Sequence, residues 1–368
     1  SIYLSDEFGR HIGTRYPEQG IGESFTYNDK NQKTTATDKR GYTTRFSYDN
    51  RGHLTKVIDA KGNIINITYN AKGKPIVVKG PDGATYKYSY NSYGELTNVV
   101  NPLNEENRIY YDDNGQVERV RDAEGNYTYL KYDDNKDICY IKDSKGVETF
   151  YERDNLGRVI STKNALGAET TYEYDVMDRI SKVTDPLGNV TEYAYDISGK
   201  LIRVVNPDGT SKEWTNNNIG KVAEYTDEAG RKTSIKYNNV WDEEEITLPN
   251  GGKVTYEYDL LKRLIKVTDP ERRETSYDYD ENGNIIAEYN GDIKVKSLTY
   301  DPNGNVTSET DALGHVQKYD YDVNGNLIAV TDAAGNRFTR EVDALGRIVK
   351  ETDALGNSTS YTYTKTGD

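Results

Sequence analysis

Cys139 is the only cysteine in the chain, and it is the side chain best suited to act as a nucleophile. A nucleophilic thiolate needs a base beside it, most often a histidine. The three histidines, His11, His53 and His315, lie in or beside turn segments that are far apart in the sequence. We therefore expect Cys139 to be a packing residue, and we predict that the chain is not an enzyme and uses no cofactor.

The carboxylates are the second group that could do chemistry, since 61 Asp and Glu against 47 Lys and Arg give a net charge of −14. A calcium site would need several oxygens around one ion, whereas the aspartates recur singly, one 21-residue repeat apart. Two turn positions account for 21 of them, more than the whole excess of negative charge. We predict no metal site, with structural calcium as the alternative. We also predict no nucleic-acid partner, because no basic stripe or Arg-rich run interrupts the acidic background.

Tyrosine is the third candidate, because rows of aromatic rings can bind sugars by stacking. Of the 17 positions spaced 21 residues apart from Tyr27 to Tyr363, 14 hold tyrosine, and the exceptions are Arg153, Asn216 and Val342. A fixed period of this length is typical of stacked supersecondary units. Filling one face of a sheet is the commoner use of such rings, so carbohydrate binding is the second hypothesis for them.

Each repeat contains two turns that position these tyrosines. The residue after the tyrosine slot is Asp or Asn in all repeats but one, and the fourth residue after it is Gly in 12 of 17, as in Tyr48 to Gly52. We call this the first turn. The second turn begins eleven residues after the slot and ends with Gly in 13 of 16 repeats, as in Asp59 to Gly62. Asp and Asn open turns by accepting backbone N–H bonds, and Gly tolerates positive φ.

Two turns leave two short strands per repeat. The segment before each tyrosine alternates, as in Thr170 to Tyr174, which predicts one buried face. The return strand has aliphatic residues six and nine positions after the tyrosine. These differ in parity, so we expect a β-bulge after the first turn. No segment between turns is long enough for a helix.

The sequence therefore predicts an all-β chain in which tandem 21-residue two-strand repeats form a long antiparallel β-ribbon. The ribbon should curve, because open sheets rarely exceed about ten strands without curling. A parallel β-solenoid with one coil per repeat is the alternative that the same turn spacing allows.

The pattern Tyr-Asp-x-x-Gly-x-Leu-x-x-Val-x-Asp-x-x-Gly-Asn resembles the Rhs, or YD-repeat, family, and residues 286–314 and 327–357 are close to its consensus. The resemblance covers the chain from about residue 1 to 368. It implies a ribbon that spirals into a shell wall. Bacterial members of the family commonly enclose a C-terminal toxin that is released after self-cleavage, and related repeats occur in toxin complexes, wall-associated proteins and teneurins.

The resemblance implies a structural function. We expect residues 1–368 to be a single continuous array, cut from a larger chain, that forms part of a toxin-enclosing shell. Its partners would be the plug and toxin domains of its own polypeptide. The family's cleavage region is not recognisable, because Asp185 to Gly188 and Asp301 to Gly304 are ordinary turns of the repeat.

We expect the protein to be secreted or to lie at the bacterial cell surface. No apolar run approaches the 18 or so residues of a membrane-spanning helix. The alternative function is a cell-surface or wall-associated adhesin module that binds glycans.

Residues 214–251 depart most from the repeat. Asn216 replaces the repeated tyrosine, and Trp214 stands two residues before it, where most repeats have an aromatic residue, Ile or Leu. Trp241 replaces the Gly of a first turn, and an acidic run at 242–245 stands where Leu and Ile belong. Breaks in a consistent pattern tend to mark function or strain, so Trp214 and Trp241 are the binding candidates. The alternative is decay of one repeat or a junction with another domain. Milder breaks, each expected to alter a turn, lie at Arg272 and at residues 290–293.

Overall fold

The computed structural model describes residues 2–16, 20–240 and 242–367, and every regular element in that part of the chain is a β-strand. The prediction of an all-β chain of tandem two-strand repeats is confirmed. The 35 strands form one antiparallel sheet. They are β1 (Ile2–Ser5), β2 (His11–Tyr16), β3 (Gly20–Tyr27), β4 (Lys33–Thr37), β5 (Thr43–Tyr48), β6 (Leu54–Ile58), β7 (Ile64–Tyr69), β8 (Pro75–Lys79), β9 (Thr85–Tyr90), β10 (Leu96–Val100), β11 (Glu106–Tyr111), β12 (Val117–Arg121), β13 (Tyr127–Tyr132), β14 (Ile138–Lys142), β15 (Glu148–Arg153), β16 (Val159–Asn164), β17 (Glu169–Tyr174), β18 (Ile180–Thr184), β19 (Val190–Tyr195), β20 (Leu201–Val205), β21 (Ser211–Asn216), β22 (Val222–Thr226), β23 (Lys232–Tyr237), β24 (Glu243–Thr247), β25 (Lys253–Tyr258), β26 (Leu264–Thr268), β27 (Glu274–Tyr279), β28 (Ile285–Asn290), β29 (Ile293–Tyr300), β30 (Val306–Asp311), β31 (Val316–Tyr321), β32 (Leu327–Thr331), β33 (Arg337–Val342), β34 (Ile348–Thr352) and β35 (Ser358–Ser360).

Strand pairing follows the order of the chain, since β5 pairs antiparallel with β4 on one side and with β6 on the other, and the later hairpins repeat this arrangement. Antiparallel pairing excludes the parallel solenoid. The chain divides into two compact units, of which unit 1 comprises residues 1–109 and 277–368 and unit 2 comprises residues 110–276. This division does not test whether residues 1–368 are one array, which stays a prediction.

The turns have the hydrogen bonds that the sequence pattern predicts. In the first turn after Tyr48, the Asp49 N–H donates to the His53 carbonyl over 3.0 Å, and the Gly52 N–H donates to the Asp49 carbonyl over 3.1 Å. The Asp49 carboxylate accepts the N–H groups of Arg51 and His53, each over 2.9 Å. Gly52 has φ of 94°, in the left-handed region that costs other residues steric strain.

Six described positions that lack this glycine keep the left-handed backbone. Arg272 has φ of 66°, and its turn keeps both backbone hydrogen bonds around Asp269, so the expectation that Arg272 alters its turn is wrong. The segment 290–293 does differ, because Asn290 pairs directly with Ile293 and leaves a two-residue loop. The other described non-glycine residues with positive φ are Asn31, Asn104, Lys136, Asp178 and Lys262.

A β-bulge follows the first turn, as the parity of the aliphatic positions predicts. Tyr48 pairs with Leu54, whereas the preceding Ser47 pairs with Lys56, so Thr55 is the extra residue. The same shift recurs in the other described first-turn hairpins, for example at Tyr174. The bulge places the residues six and nine positions after the tyrosine on the same face of the sheet.

The repeated tyrosines also hold neighbouring repeats together through their hydroxyl groups. The Tyr69 hydroxyl donates to the carbonyl of Leu54, 15 residues earlier, over 2.9 Å, and this carbonyl lies beside the bulge. Arg153 replaces a tyrosine but its guanidinium donates to the equivalent carbonyl of Ile138 over 3.3 Å. The same bond, 15 residues back, is made by Tyr48, Tyr90, Tyr132, Tyr174, Tyr195, Tyr237, Tyr300 and Tyr363.

Burial is shallow, and it alternates in the strand that precedes each tyrosine, whereas most return strands are half-buried throughout. In β17, Tyr172 and Tyr174 are half-buried, whereas Glu173 is exposed. Among the hydrophobic side chains that the structure describes, only Ala287 and Ala329 are fully buried. The sheet is therefore thin, and hydrogen bonds within turns and between repeats take a large share in holding it together.

Unit 1 contains a contact between distant repeats, which we call the seam. The Asn282 side-chain amide donates to the Asp38 carboxylate over 2.6 Å, across 244 residues of sequence. The bond recurs in the next two repeats, from Asn303 to Asp59 over 2.7 Å and from Asn324 to Asp82 over 2.8 Å. Each asparagine is at the tip of a first turn and each aspartate is in a second turn, so the seam joins opposite edges of the ribbon.

Candidate binding surfaces

The residues that could form a nucleophilic site do not combine into one. Cys139 is half-buried in β14. His53 contacts the Asp49 carboxylate at 2.9 Å and stacks on the Tyr69 ring at 4.7 Å, and His315 contacts Asp311 at 2.9 Å. These two imidazoles therefore support first and second turns.

The aspartates act as turn caps. Hydrogen bonds from the Ser198 hydroxyl and from the Lys200 and Ser198 backbone lower the pKa of Asp196 to about 2. The His53 side chain, followed by the turn amides, likewise lowers the pKa of Asp49 to about 2. Within the described residues, no group of three or more His, Cys, Asp or Glu is arranged to hold a metal ion.

Trp214 lies in β21 and packs against Tyr225 of β22, with ring centroids 5.6 Å apart. The two residues occupy the same paired positions as Phe46 and Val57 elsewhere in the ribbon, so Trp214 continues the half-buried face. A groove of about 710 Å³ lies beside this pair, and Tyr237 also lines it. An open aromatic groove of this kind can take a flat ligand such as a sugar ring.

Trp241, the other binding candidate, lies outside the described residues. The acidic run that follows it has ordinary partners, because Glu244 pairs with Lys236 at 3.1 Å and Glu245 pairs with Lys253 at 2.9 Å. Asp242 contacts Lys262 at 3.3 Å. Glu243 of the same run lines the groove beside Trp214, whereas Asp242, Glu244 and Glu245 are paired with lysines.

A second hollow, which our interpretation of the sequence missed, lies in unit 1 at β31–β35. It has a volume of about 570 Å³, and Phe338, Arg340 and Glu351 line it. Arg340 donates to Glu351 over 2.9 Å, and the Tyr361 hydroxyl donates to the same carboxylate over 2.8 Å. These two donors, Tyr361 first, lower the pKa of Glu351. The signal was in the sequence, since Val342 replaces a repeated tyrosine and Arg340 stands two residues before it, where the other repeats have an aromatic residue, Ile or Leu.

Comparison with known families decides what this ribbon is. A family model described as the teneurin YD-shell matches residues 23–110 and 103–270, and one described as the RHS repeat matches residues 258–292, 300–337 and 342–368. The chain belongs to the Rhs/YD-repeat family. No curated protein sequence matches this YD-repeat chain.

Solved structures show the same fold. The chain is similar to the structure described as TcdB2-TccC3-Cdc42, with a TM-score of 0.74 and 13% sequence identity over 98% of this chain and 26% of that one. TcdB2-TccC3 without its hypervariable C-terminal region gives the same TM-score at 14% identity, again over 98% of this chain and 26% of that one. This YD-repeat chain thus spans about a quarter of the length of the structures it matches.

Proposed function

We propose that this chain is part of the wall of an Rhs-type shell that encloses or displays a C-terminal toxin or effector domain of the same polypeptide. The seam is the observation that supports the proposal, because a wall that retains a cargo must join its ribbon edge to edge. At the seam, Asn303 and Lys61 reach the other edge through charge-assisted contacts of 2.7 and 3.1 Å. The mechanism is containment, which needs rigidity and no catalytic group.

A wall of this kind works together with the rest of its own polypeptide and outside the cell that makes it. We therefore include the plug and toxin domains of that polypeptide as partners, and a secreted or surface location, in the proposal. No helix within the described residues is long and apolar enough to span a membrane.

Limited proteolysis of the full-length parent polypeptide tests containment. We expect the segment that follows the repeats to resist trypsin in the native protein and to be cut after mild denaturation. The Asp301→Ala variant, which removes the partner of Lys61 at the seam, should be cut sooner than the wild type, whereas Asp196→Ala in unit 2 should not. Rapid cleavage of the following segment in the native wild type would contradict the proposal.

Carbohydrate binding is the second candidate function, and the aromatic groove beside Trp214 favours it. Trp214, Tyr225 and Tyr237 line this groove together with Lys200 and Lys221. Aromatic faces with nearby polar groups suit the stacking of a sugar ring.

A glycan array would test this second function. We expect Trp214→Ala to abolish any binding and Trp214→Phe, which keeps an aromatic ring, to retain most of it. The hypothesis fails if the wild-type chain binds nothing across a broad array, or if Trp214→Ala binds as well as the wild type. Trp241→Ala extends the same test to the candidate outside the described residues.

A further inference from the structure

Each asparagine of the seam is followed by glycine. The dipeptide Asn-Gly occurs six times in the sequence, at Asn114, Asn250, Asn282, Asn290, Asn303 and Asn324, and the seam contains three of these. Asparagine is a chemically labile residue, and a following glycine, which has no side chain, leaves its own backbone nitrogen open to react with the asparagine side chain. The seam asparagines are also exposed to water. The seam therefore concentrates the steps of this chain at which deamidation is chemically easiest.

Deamidation at such a step needs no reactant other than water. The backbone nitrogen of Gly325, once it has lost its proton, attacks the side-chain carbonyl carbon of Asn324. The bond from this carbon to Nδ2 breaks, and ammonia leaves after taking up a proton. Water then opens the cyclic succinimide at either of its carbonyl carbons, which leaves aspartate or isoaspartate. The net change is the replacement of one amide by one carboxylate.

The seam uses the group that this reaction removes. Nδ2 of Asn324 donates to the Asp82 carboxylate over 2.8 Å. A carboxylate at position 324 has no proton to donate and stands against a second negative charge, which is unfavourable at this distance. Arg40 and Lys61 are at the tips of the other two second turns of the seam, but Asp82 itself takes the tip position here. No cation at this tip offsets the new charge, so the contact should open.

Asn114 is the matched position in unit 2, because it is also exposed at the tip of a first turn. The Gly115 N–H donates to the Asp112 carbonyl over 3.1 Å, just as the Gly325 N–H donates to the Asp322 carbonyl over 3.1 Å. Within the part of the chain that the structure describes, the Asn114 side-chain amide has no hydrogen-bond partner. The two steps therefore differ in the restraint on the side chain and not in the backbone.

The restraint also differs among the seam asparagines. Asn282 is held at both side-chain atoms, since its Nδ2 donates to Asp38 over 2.6 Å and its Oδ1 accepts the Lys39 N–H over 3.0 Å. Asn303 and Asn324 are held through Nδ2. A side chain fixed in this way must leave its partner before its carbonyl carbon can turn toward the glycine nitrogen. Closure of the seam should therefore slow the reaction.

We propose that the three seam asparagines are deamidation sites, that the closed seam protects them, and that conversion of one of them to aspartate opens its contact irreversibly. The chemistry does not depend on what the ribbon encloses. Where the wall retains a cargo, as proposed above, deamidation gives containment a finite lifetime.

Peptide mass spectrometry of the chain after incubation at neutral pH and physiological temperature measures each step separately. We expect Asn114 to deamidate fastest, Asn303 and Asn324 about tenfold more slowly, and Asn282 slowest, because a charge-assisted hydrogen bond must break first. All four rates should rise with pH, since the glycine nitrogen reacts without its proton. Equal rates at Asn114 and Asn324 would overturn the protection by the seam.

A pair of variants tests the same protection from the acceptor side. Asp82→Ala removes the partner of Asn324 and should raise its rate toward that of Asn114. The matched control is Asp208→Ala in unit 2, because Asp208 accepts the Thr210 N–H over 2.9 Å as Asp82 accepts the Ala84 N–H over 2.8 Å. The control should leave the rate at Asn324 unchanged. A rate at Asn324 that ignores Asp82→Ala would contradict the proposal.

The consequence of deamidation is tested with Asn324→Asp, which makes one product directly. We expect a lower melting temperature than that of the wild type and faster hydrogen exchange in the second turn at residues 80–84. Asn114→Asp adds the same charge at a tip outside the seam and should change neither measurement. If Asn324→Asp melted and exchanged like the wild type, deamidation would not open the seam, whatever its rate.

Discussion

The tips of the first turns differ between unit 1 and unit 2. In unit 1, Asn282, Asn303 and Asn324 are at these tips, and each donates to a carboxylate of a distant second turn. In unit 2, each first-turn tip between residues 156 and 260 has an exposed apolar side chain two or three positions after the tyrosine slot. The two regions nevertheless build their turns in the same way, with an Asx cap and a residue of positive φ.

This difference shows that two parts of a turn are specified by different residues. One part is the hydrogen-bonded backbone with its Asx cap, which we call the frame, and the other is the pair of side chains at the tip. Asp301 in unit 1 and Asp196 in unit 2 cap their turns with the same two backbone bonds, of 2.9 to 3.0 Å. The residues two and three positions after the tyrosine slot point away from those bonds and can vary without loss of the turn. The edge of the ribbon can therefore change its contacts while the fold stays constant.

The largest loss of stability should come from removing the side chain of Asp301, which both caps its own turn and takes part in the seam. Its carboxylate is 9% exposed, caps its own turn and contacts Lys61 at 3.1 Å. Asp301→Ala leaves Lys61 without this partner, so we expect a loss of about 3 kcal/mol in the free energy of unfolding. Urea unfolding followed by circular dichroism measures it. Asp196→Ala removes a cap and the hydrogen bond from Asn216 in unit 2 but no seam contact, so it should cost clearly less, and equal losses would mean that the seam adds nothing.

The next effect tests whether the frame is equivalent in the two units. Gly62 of unit 1 and Gly188 of unit 2 end second turns with φ of 89° and 83°, and nothing lies within 4 Å of a Cβ added at either. Gly62→Ala and Gly188→Ala should therefore cost only the backbone strain of the left-handed region, about 1 to 2 kcal/mol each. The same urea titration compares them. A loss confined to one variant would show that the turns differ in frame as well as in tip.

Much of the frame could be predicted from sequence because its causes are local. Asp49 and Gly52 are three residues apart, and their types alone indicate the cap and the positive φ. The bulge at Thr55 followed from the mismatched parity of the aliphatic positions. The expectation that Arg272 alters its turn was wrong, because this residue adopts the left-handed backbone that Gly has in the other repeats.

The contacts between repeats could not be predicted in the same way. The acceptor of the Tyr69 hydroxyl is the Leu54 carbonyl, which depends on where the bulge leaves that group. The seam depends on which distant second turn meets Asn303, an offset of 244 residues that no local pattern encodes. The hollow at Arg340 has a sequence signal of two changed positions, whereas residues 214–251, with Trp214 and Trp241, depart further from the repeat.

A smaller loss of stability should come from removing the side chain of Asn303, which contributes to the seam only from the tip of its turn. Asn303→Ala removes one charge-assisted hydrogen bond to Asp59 and leaves the turn frame intact, since the backbone N–H still reaches Asp301. We expect a loss of about 1 kcal/mol at pH 7. The matched control is Asn135→Ala, at the equivalent exposed tip in unit 2, and it should leave the free energy of unfolding unchanged. If Asn303→Ala and Asn135→Ala had the same free energy of unfolding, the bond from Asn303 to Asp59 would not stabilise the seam.

The smallest effect is the pH dependence of that difference. Burial acts to raise the pKa of Asp59, but hydrogen bonds from Asn303, Asn63 and the turn amides outweigh it and hold the pKa below its usual value. A lowered folded-state pKa stabilises the fold above the unfolded value of about 3.9, and this contribution is lost as the pH falls through the folded value. The difference in melting temperature between wild type and Asn303→Ala should therefore be constant from neutral pH to about pH 5 and shrink below it. Asn135→Ala should show no such trend, and a difference that persisted in acid would mean that Asn303 acts without the charge on Asp59.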